Sequence, residues 1–258
     1  MLTATIEGIG FWTPGLPSWA AARAFAAGTG AVVQTPARPA PQLLAANERR
    51  RAPDTVAVAL EAALAACQDA GRDPATLPSV FASTHGDMAI TDYMCATLAS
   101  DPLAISPTKF HNSVHNAAAG YWTIGAGATA AATAISAHRA SFAQGLLEAL
   151  SQLAAGAAAV LLAGYDSRSV GALGRISHSD GLLGGALVLG AAALPGKPRL
   201  RVRLADGQAG AGRGALTRYA AGNAMAPLLT LFDALAEDAA GCTLDAGGGR
   251  CLQVELAA

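Results

Sequence analysis

A chain of 258 residues is long enough to bury a sizeable core as one domain, and its net charge of −1 offers no clustered basic face of the kind nucleic-acid binding requires. Hydrophobic residues make up 52% of it and charged residues only 14%, so apolar area must be hidden in a bilayer or against a partner. The bilayer is excluded on length: the longest uncharged apolar stretches, 182–194 and 154–164, fall short of the roughly 18 to 20 residues of a spanning helix, which leaves burial in an oligomer.

Residues 3–9 have strand character and run into a loop marked by Gly8, Gly10 and Pro14. Glu7, with no basic start and no long apolar run over 1–10, argues against a signal peptide, so the chain is expected to remain in the cytoplasm. A short helix is predicted around 19–27. Residues 33–53 are Pro-rich, close with Glu48-Arg49-Arg50-Arg51, and read as an irregular crossing loop with a solvated basic triplet. From Thr55 to Ala70, Val56, Leu60, Leu64 and Cys67 recur at helical spacing and Gly71 stands at the C-terminal stop, which makes Cys67 a core residue.

Val80–Ser83 reads as a buried strand ending in the turn Thr84-His85-Gly86-Asp87, at the strand edge where α/β sheets tend to hold function. Cys95 falls in a predicted helix and reads as a small core residue. Gly125–Ala134 is rich in Gly and Ala and allows close packing. Helix is predicted at 141–155, closed by Gly156, and buried strand at 159–163, closed by Gly164; the signal repeats at 182–189 and 200–204. A helix at 226–236 and a strand near 252–256 complete the pattern. Gly247-Gly248-Gly249 lacks the Lys-Ser/Thr of a phosphate loop and reads as the turn before the last strand. The alternation predicts an α/β fold of layered helices on a mostly buried sheet, one domain spanning 1–258.

The four cysteines, Cys67, Cys95, Cys242 and Cys251, form no C-x-x-C pair and have no histidine at zinc-finger spacing, so neither a disulfide framework nor a metal site is expected. His111 and His115 would share a face if helical, as metal ligands can, but no third ligand is visible, and they read as hydrogen-bonded structural histidines at an interface. No cofactor is expected.

The opening Ile6-Glu7-Gly8-Ile9-Gly10-Phe11-Trp12-Thr13-Pro14-Gly15 resembles the start of β-ketoacyl synthases. Ile105-Ser106-Pro107, then Asn116 and Ala119-Gly120, is similar to the stretch those synthases place before their nucleophile, and 105–166 lies on the elongating-synthase pattern without a gap. Gly127, Gly156 and Gly164 fall on family glycines, and Asp180-Gly181 with Gly185-Ala186-Leu187-Val188-Leu189 resembles the next strand. The resemblance implies a thiolase-like layered fold, its first half nearly complete and its second half reduced to a helix and a closing strand in the tail.

The departures carry the functional reading. In the family's Ala-Cys-x-Ser-Gly register this chain reads Ala137-His138-Arg139-Ala140-Ser141-Phe142, so Arg139 stands at the place of the nucleophilic Cys, and a guanidinium cannot be acylated. The family's two decarboxylating histidines have no counterpart motif. Chain-length factors are non-catalytic relatives of this kind, and Ser113-Val114-His115-Asn116-Ala117-Ala118-Ala119-Gly120-Tyr121-Trp122 is similar to short chains found beside aryl-polyene synthases. The resemblance implies a heterodimer with a ketosynthase, an acyl carrier protein as further partner, and an interface or tunnel wall formed by Thr108, Lys109, Phe110, His111, His115, Tyr121 and Trp122. Arg139 is expected to form a structural ion pair that fills the vacated pocket, with an anchor for a carboxylate or phosphopantetheine as the alternative. Two other readings stay open: a decarboxylase or hydrolase using Ser141 or His138, and a homodimeric scaffold that binds the carrier protein.

Overall fold

A computed structural model describes residues 1–257. In chain order the elements are β1 (Leu2–Trp12), α1 (Trp19–Ala26), α2 (Ala46–Arg51), α3 (Asp54–Ala70), β2 (Ser79–Ala82), α4 (Met88–Ser100), α5 (Pro107–His111), α6 (Ala117–Ala126), β3 (Ala132–Ile135), α7 (Ser141–Ala154), β4 (Ala159–Asp166), α8 (Gly171–Gly174), β5 (Leu183–Gly190), β6 (Arg199–Asp206), α9 (Ala215–Tyr219), α10 (Leu229–Ala236), β7 (Gly241–Gly247) and β8 (Arg250–Ala257). Helices cover both faces of one eight-stranded sheet, in the order β3-β2-β4-β5-β1-β6-β8-β7. The pairs β2–β3 and β2–β4 are parallel and the rest antiparallel. The expected alternation of strands and helices is present, and the sheet is mixed.

Strand β1 is central. It pairs with β5 on one side and β6 on the other, and a register shift between Ile6 and Gly8 accommodates Glu7. Glu7 is buried and accepts two hydrogen bonds from Arg72, at 2.7 and 2.8 Å, just beyond the end of α3. Helix α3 runs across β1, β4 and β5, and it touches β1 so closely that a Cβ at Gly10 would lie 1.9 Å from the Ala62 carbonyl oxygen. The Gly-x-Gly spacing at the end of this strand is thus a contact between backbones. Helix α3 stops at Gly71 in the left-handed conformation, as its position predicts.

On the opposite face α7 buries Phe142, Leu146, Leu150 and Leu153 against β1, β2 and β4, each fully buried aliphatic or aromatic side chain contributing about 1.5–3 kcal/mol relative to an exposed one. Helix α10, entered through a 3₁₀ turn at Ala226–Leu228, adds Phe232 to the same core. The hairpin β7–β8 turns on Gly247, Gly248 and Gly249, all at positive φ, and β7 lies against α7, α10 and the 3₁₀ turn His138–Ala140.

Five local expectations need correction. Gly8 and Gly10, expected to mark the loop after the first strand, lie inside β1, which continues to Trp12. The basic triplet belongs to the short helix α2, where three arginines occupy its last residues and suit the negative end of the helix. Gly164 lies within β4, which continues to Asp166. Strands β3 and β7 have no counterpart among the predicted elements, so the tail holds a two-stranded hairpin where one strand was expected. Cys95 is exposed on α4, because that helix buries only Met88 and Ile90. No helix of the described residues is long and apolar enough to cross a membrane.

Candidate functional site

The C-terminal ends of the parallel strands β3, β2 and β4 converge on one carboxylate. Asp166, at the end of β4, is fully buried. It accepts from Ser83 Oγ at 2.6 Å, from the Thr84 amide at 3.0 and 3.1 Å, and from the His85 amide at 3.4 Å. Burial pushes its carboxyl above the usual carboxylate range, while those donors pull the other way. His85 sits on the same turn with its Nε2 2.6 Å from Ser177 Oγ, and burial lowers its pKa, partly offset by Asp166. His115 donates from Nε2 to the Ser83 carbonyl at 2.9 Å. The turn after β2 is therefore held from three directions.

Beyond β3 the chain tightens into the 3₁₀ turn His138–Ala140 and then enters α7. His138 takes φ +51°, uncommon for a residue with a side chain. Ser141 holds the turn: its hydroxyl donates to the His138 carbonyl at 2.7 Å and accepts from the Ala137 amide at 2.9 Å. Both partners are backbone groups and the side chain is buried, so this hydroxyl is occupied in shaping the turn.

His138 and Arg139 are exposed into a cavity of about 670 Å³ whose far wall includes Gly210, Gly212, Asn223 and Asp245. The expected ion pair does not form. Among the described residues no carboxylate lies within ion-pairing distance of Arg139, since the turn projects it into open space while Asp245 bonds the Gly247 amide. None of the cysteines stands at this helix start: Cys67 belongs to α3, Cys95 to α4, Cys242 to β7 and Cys251 to β8. Burial pushes the Cys67 and Cys242 thiols up to about 12, which keeps them protonated and inert.

The segment expected to face a partner forms α5, capped by Ser106, with Thr108, Lys109, Phe110 and His111 all exposed. Lys109 lies over the Tyr93 ring at 5.8 Å, and the His111 ring meets Tyr121 edge-on at 6.1 Å. His115 lies beyond the end of α5 and turns inward, so the two histidines do not share a helix face, and no group of metal-ligating side chains occurs among the described residues. Trp122 needs correction as an interface residue. It is fully buried against Phe81, because one residue of helical rotation beyond the half-buried Tyr121 turns it into the core. Large apolar side chains elsewhere in this region remain uncovered: Leu98, Leu103, Phe110, Val114 and Ile124 are all exposed on α4, α5, α6 and their adjoining loops. Ser83, Asp166 and Ser177 were not singled out by sequence reasoning. The one available signal was a lone acid ending an apolar strand.

Comparison with known proteins bears on both fold and family. No curated protein matches the sequence. Among solved structures, the chain is similar to one from the ketosynthase ApeO in complex with its chain length factor ApeC from Xenorhabdus doucetiae, at 22% identity and TM-score 0.75, covering 99% of this chain and 100% of that one. A chain of AntDE:AntF, described as a type II PKS acyl-carrier protein in complex with its ketosynthase bound to the hexaketide, matches at 12% identity and TM-score 0.72, covering 100% and 99%. The ishigamide ketosynthase/chain length factor matches at 18% identity and TM-score 0.61, covering 79% and 68%. These likenesses establish the thiolase-like ketosynthase fold expected from the sequence. The family model for the β-ketoacyl synthase N-terminal domain matches residues 19–189, two thirds of the sequence, and this chain therefore belongs to the β-ketoacyl synthase N-terminal domain family.

Proposed function

We propose that this chain is a non-catalytic, chain-length-factor-like subunit that completes a heterodimer with a ketosynthase and works with an acyl carrier protein. The observation that carries the reading is the start of α7: His138 and Arg139 occupy the turn, neither a thiol nor a free hydroxyl is presented there, and Ser141 is bonded on both sides to backbone. The exposed apolar side chains around α4, α5 and α6 support a partner surface, since contiguous apolar area on a lone soluble chain is uncommon. The unpaired edge of β3, which carries no charged residue, lies beside α6 on the same side.

In this reading Thr108, Phe110 and His111 form the wall that limits the acyl chain growing in the partner's tunnel, with Tyr121 behind them and Trp122 as the fixed core beneath. Lys109 has no carboxylate partner within the described chain and pairs across the interface. Length is set by volume, because adding a methylene to a close-packed site costs about 1–3 kcal/mol. The test is reconstitution with a co-expressed ketosynthase and carrier protein, with products profiled by mass spectrometry. Phe110→Ala is expected to lengthen the product with the heterodimer intact, and the isolated chain to acquire no hydroxylamine-labile acyl adduct. An unchanged length distribution would remove length control from this subunit, and a stoichiometric adduct would end the non-catalytic reading.

A further inference from the structure

A second cavity, of about 610 Å³, shares no lining residue with the one around Arg139. It lies where α2, the start of α3, the start of α4, α5 and the loop after β4 come together. The chain as a whole has a net charge of −1, yet five cationic side chains line this cavity, Arg38, Arg50, Arg51, Lys109 and Arg168, against two carboxylates, Asp54 and Asp87.

Both carboxylates are engaged. Asp54 accepts from Arg38 at 3.3 Å, and Arg38 also donates to the Ala52 and Arg49 carbonyls. Asp87 accepts from the Ile90 amide at 3.0 Å and Thr55 Oγ1 at 2.9 Å. Arg50, Arg51, Lys109 and Arg168 form no ion pair among the described residues. Lys109 lies over the Tyr93 ring and Arg50 bonds the Asn47 side chain, but no carboxylate of the described residues neutralises these four like charges gathered around one concavity.

Asn112 supplies an independent indication. It lines the same cavity, is 3% exposed, and its side-chain amide has no hydrogen-bond partner, leaving Oδ1 buried and unmet. Leaving a buried polar atom unmet is unfavourable, and a half-turn of the side-chain amide exchanges oxygen and nitrogen at the cavity face. Ile90 and Leu182 give the cavity an apolar side. Its volume is that of a small-molecule site.

We infer that this cavity binds a small phosphorylated ligand: guanidinium groups of Arg51 and Arg168 hold the phosphate oxygens, and the Asn112 side-chain amide meets a hydroxyl or carbonyl of the attached organic group. A phosphate ester suits the site because its near-double charge and pairs of terminal oxygens match the planar, bidentate fork of arginine. The cavity borders the proposed partner surface at Thr108 and Lys109, and the isolated chain, which leaves that surface uncovered, suffices to test the inference.

Calorimetric titration of the purified chain with inorganic pyrophosphate and with ADP decides it. Binding of at least one is expected, weakening steeply with added salt. Arg51→Gln and Arg168→Gln, both at exposed positions where the fold tolerates neutral side chains, are each expected to weaken it by about tenfold or more, while Arg139→Gln leaves it unchanged. ADP binding more tightly than pyrophosphate identifies an organic phosphate, and equal binding identifies the phosphate group alone as what is recognised. Failure of both probes to bind, or equal affinity in the Arg51 and Arg168 variants and the parent, overturns the inference.

Discussion

Replacing Gly10 by Ala puts a methyl carbon 1.9 Å from the Ala62 carbonyl oxygen and 2.7 Å from the Ala66 amide nitrogen. Both obstacles are backbone atoms of α3, so no rotamer change relieves the clash. Ordinary contact begins near 3.4 Å, so the helix must retreat by about 1.5 Å from the sheet. A gap of 0.5–1 Å already forfeits a quarter to a half of the dispersion attraction between facing atoms, and here it opens beneath the buried residues Ala59, Ala62, Ala63 and Ala66. Overpacking costs about 1–3 kcal/mol, and the rigidity of the obstacle places Gly10→Ala at the upper end, about 3 kcal/mol. For a chain of this size that is a fall in Tm of about 6–12 °C. Gly120→Ala is the matched control: it sits in α6 with nothing within 4 Å of the added methyl, and is expected to stabilise by about 0.5–1 kcal/mol. Differential scanning fluorimetry of both variants is the assay. A Gly10→Ala protein melting within a degree or two of the parent would refute the direct packing of α3 on β1.

Arg72→Met removes the partner of a buried carboxylate, a loss worth about 3–5 kcal/mol in a dry interior and about 2 kcal/mol here, where the Arg72 side chain is 39% exposed; urea denaturation should recover part of it in the double variant with Glu7→Gln. His85 has its folded-state pKa lowered by burial, so its contribution to stability is present above its ordinary value near 6.5 and is lost as the pH falls through the folded value. The parent should therefore lose more stability than His85→Gln between about pH 7 and 5, and parallel stability curves would exclude the titration of His85 as the cause.

Elements with strong local signals were legible. Helix α3 announces itself through Val56, Leu60 and Leu64 and through Gly71, and β4 and β5 through uninterrupted apolar runs that only a buried strand explains at that length. Strand β3, with the sequence Ala-Thr-Ala-Ile in an Ala- and Gly-rich surround, is too short to display a strand period, and β7 opens on Gly241, a residue that reads as a turn. The position of Arg139 just before α7 followed from the resemblance to the family's nucleophile motif. Its lack of an acid partner did not, because that depends on where the distant β7–β8 hairpin puts Asp245. Tyr121 and Trp122 are adjacent in sequence and face different environments, which helical rotation decides. The cation-lined cavity was beyond local reading altogether, since its wall is gathered from segments near residues 38, 50, 90, 110, 168 and 182.

The central place of β1 has a consequence for synthesis. This strand leaves the ribosome long before its two neighbours, β5 and β6, which span residues 183–190 and 199–206. Until those segments emerge, both edges of an apolar strand stay open, and pairings of such long sequence separation form slowly and expose the chain to aggregation. At about 5–20 residues per second the delay is on the order of ten seconds or more. Codon changes that slow translation between residues 12 and 183 should therefore lower the soluble yield without altering a single amino acid, and overproduction of a chaperone that holds nascent chains should restore it.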